Sequence, residues 1–268
     1  RPFHKVARRL AQSGGALAGW PGMAQSRKGD RVLITDGDLF PPGYVELNGI
    51  KVFGDWSIEK VVGCTATLIR DSGSGLNKLF HDLLRAQGAI FRGADDLCCY
   101  EGGGLSANIR GEQVLVGSAA FMNLMEVRLP QGLHVKNAVF CAIDGELAGI
   151  FALNYTLHGA LEPSLNSLIR NRVTPVMATR DFNLIPAMLR QRFKLPVDKM
   201  EFPAVDRRRE LSDEEQPHSD ILTAVLCREG VAPYSEAVVG AARLRRAVRT
   251  AAVLACLGAV AGLLLAFY

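Results

Sequence analysis

Two carboxylates follow directly after a short apolar segment. Residues 32–35 read Val-Leu-Ile-Thr, and Asp36 and Asp38 come next, before the Pro-Pro-Gly break at residues 41–43. The apolar run has the length of a strand, and ligands bind outside the carboxyl ends of strands in open parallel sheets. Asp36 is therefore a candidate nucleophile. The alternative is an aspartate turn that caps the strand before the break.

A second apolar segment also ends in polar residues. Residues 173–178 are followed by Thr179, Arg180 and Asp181, and then by helical spacing over residues 184–193. A strand, a polar tip and a helix thus occur twice in the chain, which is typical of a doubly wound parallel sheet. We expect Asp36 and Thr179 at the same edge of that sheet.

The stretch between these segments alternates short apolar runs with turn residues, which predicts an antiparallel sheet. Asn48-Gly49 is a strong hairpin signal. Two stretches with helical spacing should cover one face of the sheet. The expected strands lie at 44–53 (a hairpin around Asn48-Gly49), 106–110, 114–117, 138–143 and 147–153, and the helices at 58–70 and 76–86.

Three consecutive glycines occupy positions 102–104. Glycine has no Cβ, so a backbone there can approach a nucleotide closely. The alternative is an ordinary loop.

Composition narrows the class of protein. The chain has 268 residues with 49% hydrophobic and 22% charged, which fits a folded core. A net charge of +4 with scattered basic residues argues against a nucleic-acid partner. The six cysteines form no CxxC pair, so we interpret them as reduced thiols. The first residue is Arg1, from which we expect a fragment of a longer protein.

The C-terminal residues 250–268 carry no charge and would span about 28 Å as a helix. Four arginines lie within residues 243–249, as they do on the cytoplasmic side of a membrane span. We predict an integral membrane protein with residues 1–249 in the cytoplasm; the alternative is a buried core helix.

Residues 1–10 form either a basic amphipathic helix or a solvated tail.

The order of these signals resembles the cytoplasmic unit of P-type ATPases, above all the heavy-metal subgroup. Asp36-Gly37-Asp38 stands where that family has its phosphorylated Asp-Lys-Thr-Gly-Thr. Residues 179–183, Thr-Arg-Asp-Phe-Asn, resemble its Thr-Gly-Asp-Asn, and residues 102–104 resemble its Gly-x-Gly. Residues 114–118 are similar to its Val-Leu-Val-Gly-Asn, and Tyr155 takes the place of its hinge acid.

The resemblance implies a haloacid-dehalogenase-like α/β fold, with a doubly wound parallel sheet, an inserted α+β nucleotide-binding-type domain and a C-terminal transmembrane helix. It implies ATP and Mg²⁺ as cofactors, and a nucleotide, a membrane and upstream spans of the same protein as partners. The domains expected from it are a basic juxtamembrane segment at 1–15, a phosphorylation-type domain at 16–45 and 154–212, a nucleotide-binding-type domain at 46–153, a linker and membrane-entry helix at 213–249, and the span at 250–268.

The same resemblance assigns the candidate site residues. They are Asp36, Asp38, Thr179, Arg180 and Arg207 for catalysis, Gly102, Gly104 and Gly117 for nucleotide binding, and Asp36 and Asp38 for a metal.

The departures from the family motifs bear on activity. Gly37 replaces a lysine, and no Gly-Asp-Gly-x-Asn-Asp motif, whose acids complete the magnesium site, occurs in the chain. The acidic residues at 213–220 either replace those acids or form a solvated linker. We therefore expect a P-type-ATPase-like protein with weak or no ATP hydrolysis. The alternatives are an active cation pump, or a phosphatase that uses Asp36 with Asp38.

Overall fold

The structure is a computed structural model that describes residues 15–17, 31–39, 43–133, 135, 137–157, 159–212, 224–226 and 231–266. Within these residues the strands are β1 (Gly15–Leu17), β2 (Arg31–Ile34), β3 (Val45–Val52), β4 (Asp95–Tyr100), β5 (Gly104–Ile109), β6 (Glu112–Gly117), β7 (Ala138–Ile143), β8 (Glu146–Tyr155), β9 (Thr174–Met177) and β10 (Ala224–Leu226). The helices are α1 (Asp36–Leu39), α2 (Ile58–Ser72), α3 (Asn77–Ala86), α4 (Ala119–Leu124), α5 (Leu161–Arg170), α6 (Pro186–Phe193), α7 (Val205–Leu211) and α8 (Val231–Ala266), with a 3-10 turn at Val197–Lys199.

The largest layer is a six-stranded antiparallel sheet in the order β3-β8-β7-β6-β5-β4. Helix α2 contacts β4, β5 and β6, and α3 contacts β3. All six residues of β7 are buried, as expected for a central strand. The predicted antiparallel sheet and its two helices are confirmed.

The hairpin predicted at Asn48-Gly49 is wrong. Strand β3 runs straight through this dipeptide and pairs along its length with β8. The register shifts between Leu47, opposite Leu153, and Gly49, opposite Ala152, which is a β-bulge. Because β8 offers partners on both sides of the bulge, the chain has no need to reverse at Gly49.

A second, parallel sheet joins β2 and β9. The amide of Ala178 donates to the carbonyl of Ile34 over 2.8 Å, and Val176 forms a parallel bridge to Glu201. The prediction that these two strands are neighbours is confirmed, and so is the mixed α/β fold class.

The chain divides into two compact units. One comprises Leu33–His158 and Val176–Glu215 and holds the antiparallel sheet. The other comprises Arg1–Val32, Gly159–Pro175 and Gln216–Tyr268, and in it β1 pairs with β10 and α5 contacts α8. The domain boundaries given under Sequence analysis stay predictions.

Helix α8 has two different halves. Its first half packs on α5: Arg243 Nε and Arg246 Nη2 donate to the Oδ1 and carbonyl oxygen of Asn171 over 3.1 and 2.9 Å. Its second half, residues 249–263, is exposed throughout. Within the described residues, Tyr234–Leu263 is the one stretch long and apolar enough to cross a membrane. The N-terminal residues 1–10 and the acidic residues 213–220 lie outside the described part of the chain.

Candidate functional site

Asp36 lies where the sequence predicted it, just beyond the carboxyl end of β2 and at the start of the short helix α1. Its Oδ2 accepts a hydrogen bond from the backbone amide of Arg180 over 3.1 Å. Its Oδ1 is buried and has no hydrogen-bond partner within the described residues. The side chain of Asp38 lies outside the described residues.

The turn after α2 covers Asp36. Helix α2 ends at Gly73 in the left-handed conformation (φ +68°), with its amide bonded to the carbonyls of Arg70 and Ile69. The chain then brings the backbone of Gly75 against the carboxylate. A Cβ at Gly75 would lie 3.0 Å from Asp36 Oδ2 and 2.6 Å from the Tyr44 hydroxyl. Only glycine fits this approach, which the sequence alone did not indicate.

Asp181 stands beside Asp36 and is only 1% exposed. Its Oδ2 accepts from the hydroxyl of Tyr155 over 3.0 Å and from that of Tyr44 over 3.4 Å. Its Oδ1 accepts from the amide of Asn183 over 2.9 Å. Both oxygens of this carboxylate are therefore occupied by protein donors.

Burial favours the protonated form of both acids. It is the main reason why the pKa of Asp36 is raised to about 7, and the negative charge of Asp181 raises it further. The backbone amides of Arg180 and Asp181, and then the Arg180 guanidinium, act in the opposite direction. Burial likewise raises the pKa of Asp181 to about 6, against the lowering effect of Asn183, Tyr155 and Tyr44.

The described residues alone do not make up a Mg²⁺ site. Magnesium takes six oxygen ligands and is usually bound through carboxylates. The described residues contain no group of three or more potential metal-ligating side chains, and Asp181 already has its oxygens engaged. Of the carboxylate oxygens of Asp36 and Asp181, Oδ1 of Asp36 has no hydrogen-bond partner among the described residues, and Gly75 lies against that side chain.

The other predicted catalytic residues are only partly brought together. Thr179 is 4% exposed, with a buried hydroxyl that has no partner among the described residues. The Arg180 guanidinium does not approach the Asp36 carboxylate through a hydrogen bond; its Nε donates to Ser212 Oγ over 2.7 Å and its Nη2 to the Arg209 carbonyl over 3.1 Å. Arg180 thereby binds the end of α7.

Arg207 points away from this site, contrary to expectation. It is exposed and forms an ion pair with Glu210 over 2.8 Å on the surface of α7. The next two residues, Arg208 and Arg209, line a cleft together with Thr179 and Arg180. A helix turns about 100° per residue, so neighbouring arginines face different directions, and the sequence alone did not indicate which of them line the cleft.

The glycines of the predicted nucleotide site serve close packing. A Cβ at Gly104 would lie 2.2 Å from the Phe121 ring, and one at Gly117 would lie 2.4 Å from the Gly103 carbonyl. Gly102 has φ +84° and its carbonyl accepts from Ser118 Oγ over 3.1 Å. The turn therefore needs its glycines to fold, whatever it binds.

Several residues that surround the predicted site were not predicted. Tyr44, Gly75 and Arg208 carried no motif, and Tyr155 was visible only as a replacement for the family's hinge acid. Each acts through a partner distant in sequence, for example Tyr44 with Asp181, which is 137 positions away.

No protein-family model and no curated protein sequence matches the chain. Among solved structures it is similar to the N-domain of HMA6, a copper-transporting P-type ATPase, with 17% identity and a TM-score of 0.35 over 42% of this chain and 100% of that one. It is similar to the catalytic domain of the CPx-ATPase CopB-B, with 13% identity and a TM-score of 0.44 over 74% of this chain and 70% of that one.

A third similar structure is a zinc-transporting PIB-type ATPase in the E2P state, with 14% identity and a TM-score of 0.38. The match covers 93% of this chain and 47% of that one, so the chain spans about half of that protein's length. The three similar structures come from ATPases named as copper-transporting, CPx-type and zinc-transporting.

Proposed function

We propose that the chain is the cytoplasmic nucleotide-binding and phosphorylation-type unit of a P-type-ATPase-like membrane protein, and that it hydrolyses ATP weakly or not at all. The proposal of weak or absent ATP hydrolysis rests on the environment of the Asp36 carboxylate. Its carboxylate lies under Gly75 and beside Asp181, and its pKa is raised to about 7.

A phosphoryl acceptor has to be ionised and accessible. The pKa of Asp36 is raised to about 7, so its ionised, nucleophilic form is less populated near neutral pH than that of an ordinary aspartate. The γ-phosphate would also have to approach past the Gly75 backbone. Both features oppose attack by Asp36.

The charge around Asp36 is also unfavourable for a phosphoryl group. Gly37 stands where the family has a lysine, and Asp181 adds a negative charge when ionised. The loss of one stabilising contact to developing charge typically costs about 3 kcal/mol, or on the order of 100-fold in rate. The described residues do not form a magnesium site that would replace it.

The membrane part of the proposal rests on helix α8. Residues 249–263 are exposed and include Val253, Leu254 and Leu257, which are 53%, 63% and 61% exposed. An exposed apolar stretch of this size marks a surface that contacts a membrane or another protein. Since Arg243 and Arg246 are hydrogen-bonded to Asn171, we place the start of the membrane-inserted part after them, near residue 250.

The proposal is tested with the full chain in detergent and radiolabelled ATP at millimolar magnesium. We expect no acid-stable, hydroxylamine-labile phosphate and no vanadate-sensitive hydrolysis, and Asp36→Asn should behave like the parent chain. Steady ATP hydrolysis that disappears in Asp36→Asn would instead support the alternative, an active cation pump. Hydrolysis of p-nitrophenyl phosphate that needs both Asp36 and Asp38 would instead indicate the phosphatase.

The membrane assignment has its own test. After expression in membranes and extraction with alkaline carbonate, the full chain should stay in the pellet, and a chain that ends at Arg249 should be released. Release of the full chain would contradict the anchor.

A further inference from the structure

Strand β3 ends the six-stranded sheet on one side, and β8 is its single neighbour in that sheet. Within the described residues, no other element donates a hydrogen bond to its backbone or accepts one from it. The strand is eight residues long, Val45–Val52. The unpaired amides and carbonyls of such an edge are the groups to which a further strand binds.

The β-bulge in β3 decides which of its side chains share a face. In a regular strand the side chains alternate, so two residues five positions apart lie on opposite faces. In β3, Glu46 lies opposite Asn154 of β8, and Lys51 lies opposite Ile150. These two partners are four positions apart, so Glu46 and Lys51 lie on the same face of the sheet. The extra residue at Asn48 brings the two charges together there.

The charges of β3 are complementary to those of a second β3 that runs in the opposite direction. When two copies pair about a two-fold axis between Asn48 and Gly49, Glu46 of each copy lies opposite Lys51 of the other. Because both residues are on the same face, each of these two pairs brings opposite charges side by side. Without the bulge, the same pairing would place them on different faces.

The apolar residues of β3 match in the same way on the other face. Their partners along β8 are all two positions apart, which places the four of them on one face. About the same axis, the first lies opposite the fourth of the second copy and the second opposite the third. The four residues are Val45, Leu47, Ile50 and Val52, of which Val45 is buried and the others are half-buried.

The two charged side chains are available for such a contact. Glu46 and Lys51 are both exposed, and neither has an ion-pair partner within the described part of the chain. Lys51 Nζ lies over the Phe53 ring, 5.1 Å from its centroid. The position next to the axis is open, since a Cβ at Gly49 would meet nothing within 4 Å.

Charges on an edge strand often serve to prevent pairing. Two copies of such a protected edge would bring like charges together and repel each other. In β3 the symmetric positions, Glu46 and Lys51, carry opposite signs, so two copies attract.

We propose that the edge of β3 binds a second copy of this chain, so that two β3 strands pair antiparallel and join the two six-stranded sheets. A single pair of strands makes a small interface, which is typical of a weak, reversible dimer. We expect it to form at tens of micromolar chain and above. In the dilute solutions used for unfolding the chain is then a monomer, so a substitution in β3 acts on association and not on the unfolding midpoint.

The test is sedimentation velocity on the full chain in detergent, from a few to a few hundred micromolar. The parent chain should dimerise reversibly, and salt should weaken the dimer. Glu46→Lys and Lys51→Glu each place two like-charge pairs in the interface, so each variant alone should associate at least about tenfold more weakly. An equimolar mixture of the two variants should dimerise like the parent chain, because each charge then meets its opposite.

Lys199→Glu is the matched control, because it reverses an exposed lysine in the 3-10 turn Val197–Lys199. It should dimerise like the parent chain. Circular dichroism checks that the single variants are folded, and the mixture checks it a second time, since only folded chains regain the dimer.

Three results would overturn the inference. The first is a parent chain that stays monomeric at every concentration. The second is a dimer that both single variants retain, which would place the contact elsewhere, for example on the exposed part of α8. The third is a mixture that fails to dimerise although each folded variant alone has lost the dimer, since the charges would then not face each other.

Discussion

The backbone of Gly75 lies directly on the carboxylate of Asp36, so closely that a Cβ at Gly75 would come within 3.0 Å of Oδ2. The turn that follows α2 thus closes over the residue at the end of β2. Burial, followed by the negative charge of Asp181, is the main cause of the raised pKa of Asp36. Gly75, which lies 39 positions further along the chain, is one of the groups that surround this carboxylate.

Gly75→Ala should destabilise the fold by about 1–3 kcal/mol, because the methyl group would overlap the Tyr44 hydroxyl and Asp36. Urea unfolding followed by circular dichroism measures the change. Gly93→Ala is the matched control, since a Cβ there meets nothing within 4 Å. Equal effects of the two substitutions would show that Gly75 does not make this contact in solution.

Asp36→Asn should stabilise the protein at pH 8. The folded-state pKa is about 7 and the ordinary value is 3.8, so the native state binds the proton more tightly than the unfolded chain. This group therefore lowers the free energy of unfolding as pH rises from about 4 to about 7, and its full cost, on the order of a few kcal/mol, persists above pH 7. Asparagine resembles the protonated acid and removes that cost.

The measurement is the midpoint of urea unfolding at pH 5 and pH 8 for the parent chain and for Asp36→Asn. The gain should be larger at pH 8, and part of the pH dependence should remain because of Asp181, whose pKa is about 6. Glu46→Gln changes an exposed carboxylate and should have little effect. A gain that is the same at both pH values would contradict the prediction.

Tyr155→Phe removes the closer hydroxyl donor to Asp181 Oδ2. We expect a loss of about 1–2 kcal/mol at pH 8, where the carboxylate is ionised and needs its donors, and a smaller loss at pH 5. The control is Tyr100→Phe, which removes a hydroxyl that accepts a hydrogen bond from Ser106 Oγ. A Tyr155→Phe loss independent of pH would mean that its hydroxyl does not act through Asp181.

Gly104→Ala should cost about 3 kcal/mol, because the new Cβ would lie 2.2 Å from the ring of Phe121 in the core of the antiparallel sheet. Gly49→Ala, also within a strand but with open space around it, should be close to neutral. Thermal unfolding of both variants distinguishes them. Full stability of Gly104→Ala together with lost ADP binding would show that the glycine serves the ligand and not the fold.

Local patterns determined most of the secondary structure. Helical spacing located α2, and apolar runs separated by turn residues located β5 to β8, because both depend on residues a few positions apart. The sequence also predicted the strand before Asp36 and the position of this strand next to β9. Asn48-Gly49 was misinterpreted because a bulge and a hairpin turn favour the same residues, and only the partner strand β8 decides between them.

The character of the site depended on contacts between residues far apart in the chain. Arg180 donates its amide to Asp36 across 144 positions, and Tyr44 reaches Asp181 across 137. No periodicity or motif encodes such pairs, since they result from how the sheets and turns pack. The sequence by itself therefore placed Asp36 and Thr179 at the end of their strands. Only the tertiary structure placed Gly75 over the carboxylate and turned Arg208, rather than Arg207, into the cleft.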